Sequence, residues 1–128
     1  MKKSFRVFAI LLFFVISNNV FSLDRDNLSF TKKINLGINL ADNEEYQEAL
    51  DIFYSLYYSE KNKDKKYISL YLTCAILNEM GQYNLAEKLI ANNETNFDKS
   101  KYPSLYNLKN QIQYAIRNSS STSLTGLP

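Results

Sequence analysis

Four carboxylates crowd one short stretch, Asp42, Glu44, Glu45 and Glu48, and they are the first groups in this 128-residue chain that could do chemistry. Clustered carboxylates can hold a cation or serve as acid and base in hydrolysis. An apolar periodic run follows them, however, and at the start of a helix carboxylates are partners of the helix dipole and solvated surface. No histidine is present, which excludes imidazole acid–base chemistry, His-dependent triads and His metal ligation. The single cysteine, Cys74, can build neither a thiolate zinc site nor an internal disulfide. Its apolar surroundings make it a small buried hydrophobe, with an interchain disulfide as the alternative. Gly37 and Gly81 stand singly in helical context, so no phosphate-cradling loop is expected. The lysines of the stretch Glu60–Lys66 could suggest a phosphate site, but Glu60 and Asp64 interrupt them, and the stretch reads as a solvated loop. The expectation is a non-enzyme with no catalytic residue, cofactor or metal.

The N-terminus carries a different signal. Lys2, Lys3 and Arg6 precede a continuous apolar run, Val7 to Ile16, then polar Ser17, Asn18 and Asn19, then Val20-Phe21-Ser22. That order is the pattern of a secretory signal peptide, cut after Ser22. The alternative is an uncleaved anchor over Val7 to Leu23, against which Asn18 and Asn19 count. Removing the leader takes three of the 15 basic residues and none of the 13 acidic ones, leaving 12 against 13. A near-neutral mature chain has no general electrostatic reason to bind nucleic acid or anionic lipid, so no nucleic acid is expected, and membrane only if the leader is kept. The lysine-led leader and the Asn-, Lys- and Tyr-rich composition look bacterial. The sequons at Asn27, Asn93 and Asn118 are therefore read as chance.

Apolar residues then recur at spacings of three and four, which predicts five helices. The first covers about Phe30 to Asp42, with Ile34, Leu36, Gly37, Ile38 and Leu40 facing inward or into a groove and Asn43 as a left-handed stop. The second, about Glu45 to Ser59, puts Tyr46, Ala49, Leu50, Phe53 and Leu56 on one stripe. The third, about Tyr67 to Met80, is apolar around most of its circumference and should be covered on several sides, with Gly81 ending it. The fourth covers about Tyr83 to Asn93. The fifth starts near Pro103, with Ser100 a candidate cap, and runs to about Asn118. Residues 1–22 are thus read as leader, 23–29 as linker, 30–118 as one all-α domain and 119–128 as a disordered tail rich in Ser and Thr.

Against itself the chain aligns at a separation of 37: Tyr46 and Ala49 fall on Tyr83 and Ala86, each pair preceded by a helix. Leu36-Gly37, Leu40, Tyr46, Ala49 and Phe53 fall at the spacing of the tetratricopeptide repeat, with Leu40 in place of its aromatic residue, and this stretch resembles that family. The second copy is weaker: Thr73 and Cys74 replace Leu36 and Gly37, while Leu77, Gly81, Tyr83, Ala86 and Ile90 keep the spacing. Asn107-Leu108 and Ile112 match Asn35-Leu36 and Leu40, but Lys109 replaces the small residue, so the fifth helix reads as a terminal cap. The resemblance implies antiparallel helix hairpins, two repeats plus a C-terminal capping helix.

It also implies a concave groove lined by the first helix of each pair: Thr31, Ile34, Ile38 and Ala41, then Ile68, Tyr71, Ala75 and Asn78, then Tyr106, Asn110 and Gln113. This set is apolar and amide-rich, which favours an apolar or aromatic peptide segment as ligand. The several of these residues that are apolar fit a plain core equally well. The expected function is a protein–protein interaction module, an adaptor or scaffold, in the bacterial envelope or periplasm. The alternative is a structural subunit of an envelope complex or homo-oligomer, anchored if the leader is uncleaved.

Overall fold

The computed structural model describes the backbone of residues 25–125 and the side chains of residues 29–119. The expected leader, 1–22, lies outside the described residues. The described backbone is all-helical: α1 (Arg25–Asp42), α2 (Tyr46–Ser59), α3 (Lys63–Glu79), α4 (Tyr83–Ala91) and α5 (Pro103–Thr125). None of these helices is long and apolar enough to cross a membrane. The chain divides into two compact units, Met1–Ile76 and Leu77–Pro128, with the boundary inside α3.

In the first unit α1 and α2 pack as a hairpin. Phe30, Ile34, Ile38 and Ala41 on α1, and Ala49, Phe53 and Leu56 on α2, are buried at the three- and four-residue spacing of an amphipathic helix. Gly37 sets the closeness of the approach. A Cβ placed there would stand 2.5 Å from Cε1 and 2.7 Å from Cζ of Phe53, so the Phe53 ring occupies the space a side chain would need. Of the residues expected to face inward or into a groove, Leu36 is 52% exposed and so is not a core side chain, because the helix turns about 100° per residue and Gly37 holds the contact position.

The repeat is visible in the backbone of the two helix ends. The Glu44 N–H donates to Ala41 O (2.9 Å) and the Glu45 N–H to Leu40 O (2.8 Å), while the Gly81 N–H donates to Asn78 O (3.1 Å) and the Gln82 N–H to Leu77 O (2.8 Å). These are the two hydrogen bonds of a Schellman motif, which satisfy carbonyls left over at a helix C-terminus. They recur at the 37-residue separation found in the sequence. The caps that follow match too: Glu45 has φ −90° and ψ 69°, Gln82 φ −87° and ψ 60°. The left-handed residue is Glu44 (φ 64°) in the first turn and Gly81 (φ 77°) in the second. Asn43 is therefore not the left-handed stop; the motif needs that conformation one residue later, at C′. A non-glycine residue there is held against its Cβ–carbonyl clash. Glu44→Gly is expected to stabilise the chain by about 0.5 kcal/mol after the entropic cost of glycine, and Gly81→Ala to destabilise it by about 1 kcal/mol. Urea unfolding of both variants checks the equivalence, which requires opposite signs.

Helix α3 begins at Lys63, so most of the supposed solvated loop is helical and only Glu60–Asn62 connects it to α2. Asn62 makes the start: its Oδ1 accepts the Lys65 N–H at 3.0 Å, satisfying a donor that the first helical turn leaves open. Lys65 is buried, with its ammonium 5.6 Å from the Phe30 ring centroid. The stem packs on apolar surface while the charge meets the ring face. From Tyr67 to Leu77 every residue of α3 is buried, as its all-round apolar sequence requires. The 37-residue register explains why this helix differs. Positions Ser69, Leu72 and Ile76 correspond to Lys32, Asn35 and Asn39 of α1, which are exposed.

In the second unit α4 packs on α5. Ala86 and Ile90 meet a core that includes Leu105, Leu108 and Ile112. The connection between them, residues 92–102, is a series of turns anchored from within. Phe97 is fully buried and meets Tyr102 edge to face, with centroids 5.1 Å apart. Ser100 is not the cap of α5. Its N–H and hydroxyl both donate to the Asp98 carboxylate, and the helix starts at Pro103, whose missing N–H costs nothing in a first turn. Two further boundaries differ from the sequence reading. Helix α1 starts at Arg25, inside the supposed linker, and α5 runs on through the supposed tail to Thr125. Extending an existing helix needs no new nucleus, so weak formers such as Ser and Thr can be carried along.

Candidate interaction site

The residues expected to line a groove are placed unevenly. Ile34, Ile38, Ala41, Ile68, Tyr71 and Ala75 are all buried. These positions are core side chains, the plain-core alternative of the sequence reading. Thr31 is half-buried. Asn78 is partly buried, with a sequestered Oδ1 that has no hydrogen-bond partner.

On α5 the expected residues divide between scaffold and surface. The Tyr106 hydroxyl donates toward Phe97 O at 2.8 Å and lies 3.3 Å from Glu94 O, so it ties α5 to the connection before it. Gln113 donates from Nε2 to Glu87 on α4 at 3.0 Å. Lys109, the residue that broke the repeat pattern, pairs with Glu94. Of the three expected groove residues on this helix, Asn110 alone is exposed, and it belongs to a stripe with Asn107, Gln111 and Tyr114. In α3 the positions that the alignment of Asn107 with Asn35 and of Lys109 with Gly37 makes equivalent are Leu72, Ala75, Ile76 and Glu79, of which the first three are buried and Glu79 is exposed.

The sequence reading missed the most exposed aromatic cluster. Tyr54 and Tyr58, one turn apart at the end of α2, are 40% and 69% exposed. Their rings meet edge to face at 4.9 Å, and their hydroxyls are 3.3 Å apart. Tyr57 lies beside both, at 6.1 Å from Tyr54 and 5.6 Å from Tyr58. Lys66 reaches the group from α3. Its ammonium donates to Tyr57 O at 2.6 Å and sits 4.5 Å from the Tyr57 ring centroid. The signal was present as Tyr-Ser-Leu-Tyr-Tyr, but the apolar stripe chosen for α2 ran through the neighbouring positions.

Cys74 is buried, and burial pushes its thiol well above the ordinary value of 9.0. Burial also raises the Tyr71 phenol above 10.0. Both groups are neutral in the folded chain, whereas the unfolded chain loses these protons once the pH passes the ordinary values. Unfolding then releases protons, so stability is full below about pH 9 and falls as pH rises above it. Cys74→Ala should remove the earlier part of that loss in thermal unfolding at pH 8 to 10.5. A thiol reagent at pH 8 should leave Cys74 unmodified until the chain is unfolded.

The carboxylates Glu44, Glu45 and Glu48 are exposed, and among the described residues no three Cys, Asp or Glu side chains converge to hold a metal ion. Compared with known proteins, the chain matches no family model, no curated protein and no solved structure.

Proposed function

We propose that this chain is a protein-binding module built from tetratricopeptide-like helix hairpins, exported to the bacterial envelope and acting there as an adaptor rather than an enzyme. The observation that carries this reading is the helix-end motif repeated at 37 residues, with matching hydrogen bonds and caps at Glu44–Glu45 and Gly81–Gln82. The recurring helix end, together with the close approach of Gly37 to Phe53 in the first copy, supports a repeat architecture, and such architectures present surface to partners. Because the inner stripe is core, the surface offered is the outward faces of α2 and α5. Two measurements test the proposal. The N-terminus of the protein recovered from its native host should begin near Leu23, as a cleaved leader requires. The immobilised protein should retain a specific envelope protein that free chain displaces in a saturable manner. An N-terminus still at Met1 in the cytoplasmic fraction would refute export, and retention that free chain does not displace would refute the adaptor.

A further inference from the structure

We infer that the buried stretch of α3, residues 67–78, is a self-association segment: once released from the fold, it pairs as a strand with the same stretch of a second copy of this chain. The inference goes beyond the protein-binding reading and does not depend on it.

Two periods are written into these residues. In the folded chain they form most of α3, and every one from Tyr67 to Leu77 is buried. A helix takes most of its stability from packing, and this one has no polar face to hold it as a helix in water. Burial therefore imposes its conformation. Read at the two-residue period of a strand, the same residues separate cleanly. Ile68, Leu70, Leu72, Cys74 and Ile76 fall on one side, and Tyr67, Ser69, Tyr71, Thr73 and Ala75 on the other. The first side is wholly apolar and can interdigitate with its like in a dry interface between two sheets. The second stacks ring on ring and hydroxyl on hydroxyl when copies lie in register. In the helix the hydroxyls of Ser69 and Thr73 are spent on their own backbone; in a stack they are free to bridge copies. Ile68, Thr73 and Ile76, with Tyr67 and Tyr71, also favour extended backbone.

The borders of the segment are set by charge. No charged residue, glycine or proline interrupts Tyr67 to Asn78, and beyond the N-terminal leader no run free of all three is as long. Lys63, Asp64, Lys65 and Lys66 precede it and Glu79 follows it. Stacked copies would pile these charges on one another, which confines pairing to the stretch between them. Ile52 to Ser59 on α2 is the rival: it too is uncharged, but it is shorter and has a carboxylate at each border, Asp51 and Glu60. While α3 is folded, its side chains are covered and its backbone is bonded within the helix. Any step that leaves the chain unfolded, export included, bares the segment.

The test is aggregation of the purified protein in urea, at concentrations that give each variant the same unfolded fraction. That match removes the stability lost by placing a charge in the core. Thioflavin T fluorescence should rise with time, and protease digestion of the aggregate followed by mass spectrometry should leave a core containing residues 67–78. Leu72→Lys should lengthen the half-time by about tenfold or more, whereas Phe53→Lys, the same insult to the rival stretch, changes it by less than about twofold. A resistant core elsewhere, a slowing by Phe53→Lys as large as that by Leu72→Lys, or an unfolded parent chain that stays soluble would overturn the inference. Retention of an envelope protein is read separately, so the adaptor reading stands or falls on its own measurement.

Discussion

Gly37→Leu lowers stability by about 2 kcal/mol, although glycine is the weaker helix former. Two effects oppose one another at this position. Removing a glycine from a helix interior gains up to about 1 kcal/mol. Overpacking a filled site costs about 1–3 kcal/mol, and this site lies at the upper end, because the first added carbon would already stand 2.5 Å from a ring atom of Phe53. Phe53 is itself fully buried, so its ring has no solvent-facing side to swing into. The steric cost exceeds the propensity gain. Phe53→Ala alone should cost about 3–5 kcal/mol, but in the double variant the leucine can refill the vacated space. The double variant should therefore be more stable than the sum of the single effects predicts, with a coupling of about 1–3 kcal/mol in urea unfolding. Strict additivity would show that Gly37 is small for some reason other than Phe53.

Phe97→Ala has the second large effect, a loss of about 3 kcal/mol confined mainly to the second unit. Phe97 is a fully buried side chain on a connection with no regular helix of its own. Its ring holds Tyr102 edge to face, its carbonyl accepts the Tyr106 hydroxyl, and its N–H donates to Asn93 O at 3.1 Å. Without the ring, residues 92–102 lose their internal anchor. Amide exchange should accelerate through that segment and the first turn of α5 while α1 and α2 keep their protection. Phe97→Leu, which retains most of the volume, should show a fraction of the effect. Uniform loss of protection over both units would mean that the ring supports the whole chain rather than one connection.

What the sequence could and could not disclose follows from what periodicity measures. Helix existence and type were legible because Ala49, Phe53 and Leu56, or Leu105, Leu108 and Ile112, recur at the helical period and are buried on it. The recurring helix end lies at the separation that aligns Tyr46 and Ala49 with Tyr83 and Ala86. Periodicity is silent about where a helix stops when no apolar face changes there. Thus Asn62, a cap inside a charged run, was hidden, and so was the polar continuation of α5 to Thr125. Nor does it separate core from groove. Ile34, Ile68 and Tyr71 satisfy the spacing of either, and burial alone decides. Phe97 and Tyr102 escaped notice because a loop anchor has no period. The Tyr54–Tyr58 surface escaped because aromatic residues on a helix are read first as candidates for its inner face.

The two hydroxyls of α3 have a consequence for how that helix finds its place. Ser69 donates to Lys65 O at 2.9 Å and Thr73 to Ser69 O at 2.7 Å, each four residues back along the same helix. Both are fully buried, yet each spends its donor on its own backbone, and neither hydrogen bond holds α3 to another element. Hydrogen bonds are directional, whereas the packing of apolar atoms is not. At these two positions α3 is therefore located by volume and shape, without a polar latch to fix its rotation. Methyl-bearing substitutes of similar size, Ser69→Ala and Thr73→Val, leave nothing unpaired in a neighbour. The buried helix is correspondingly forgiving of changes in chemistry there and intolerant of changes in size.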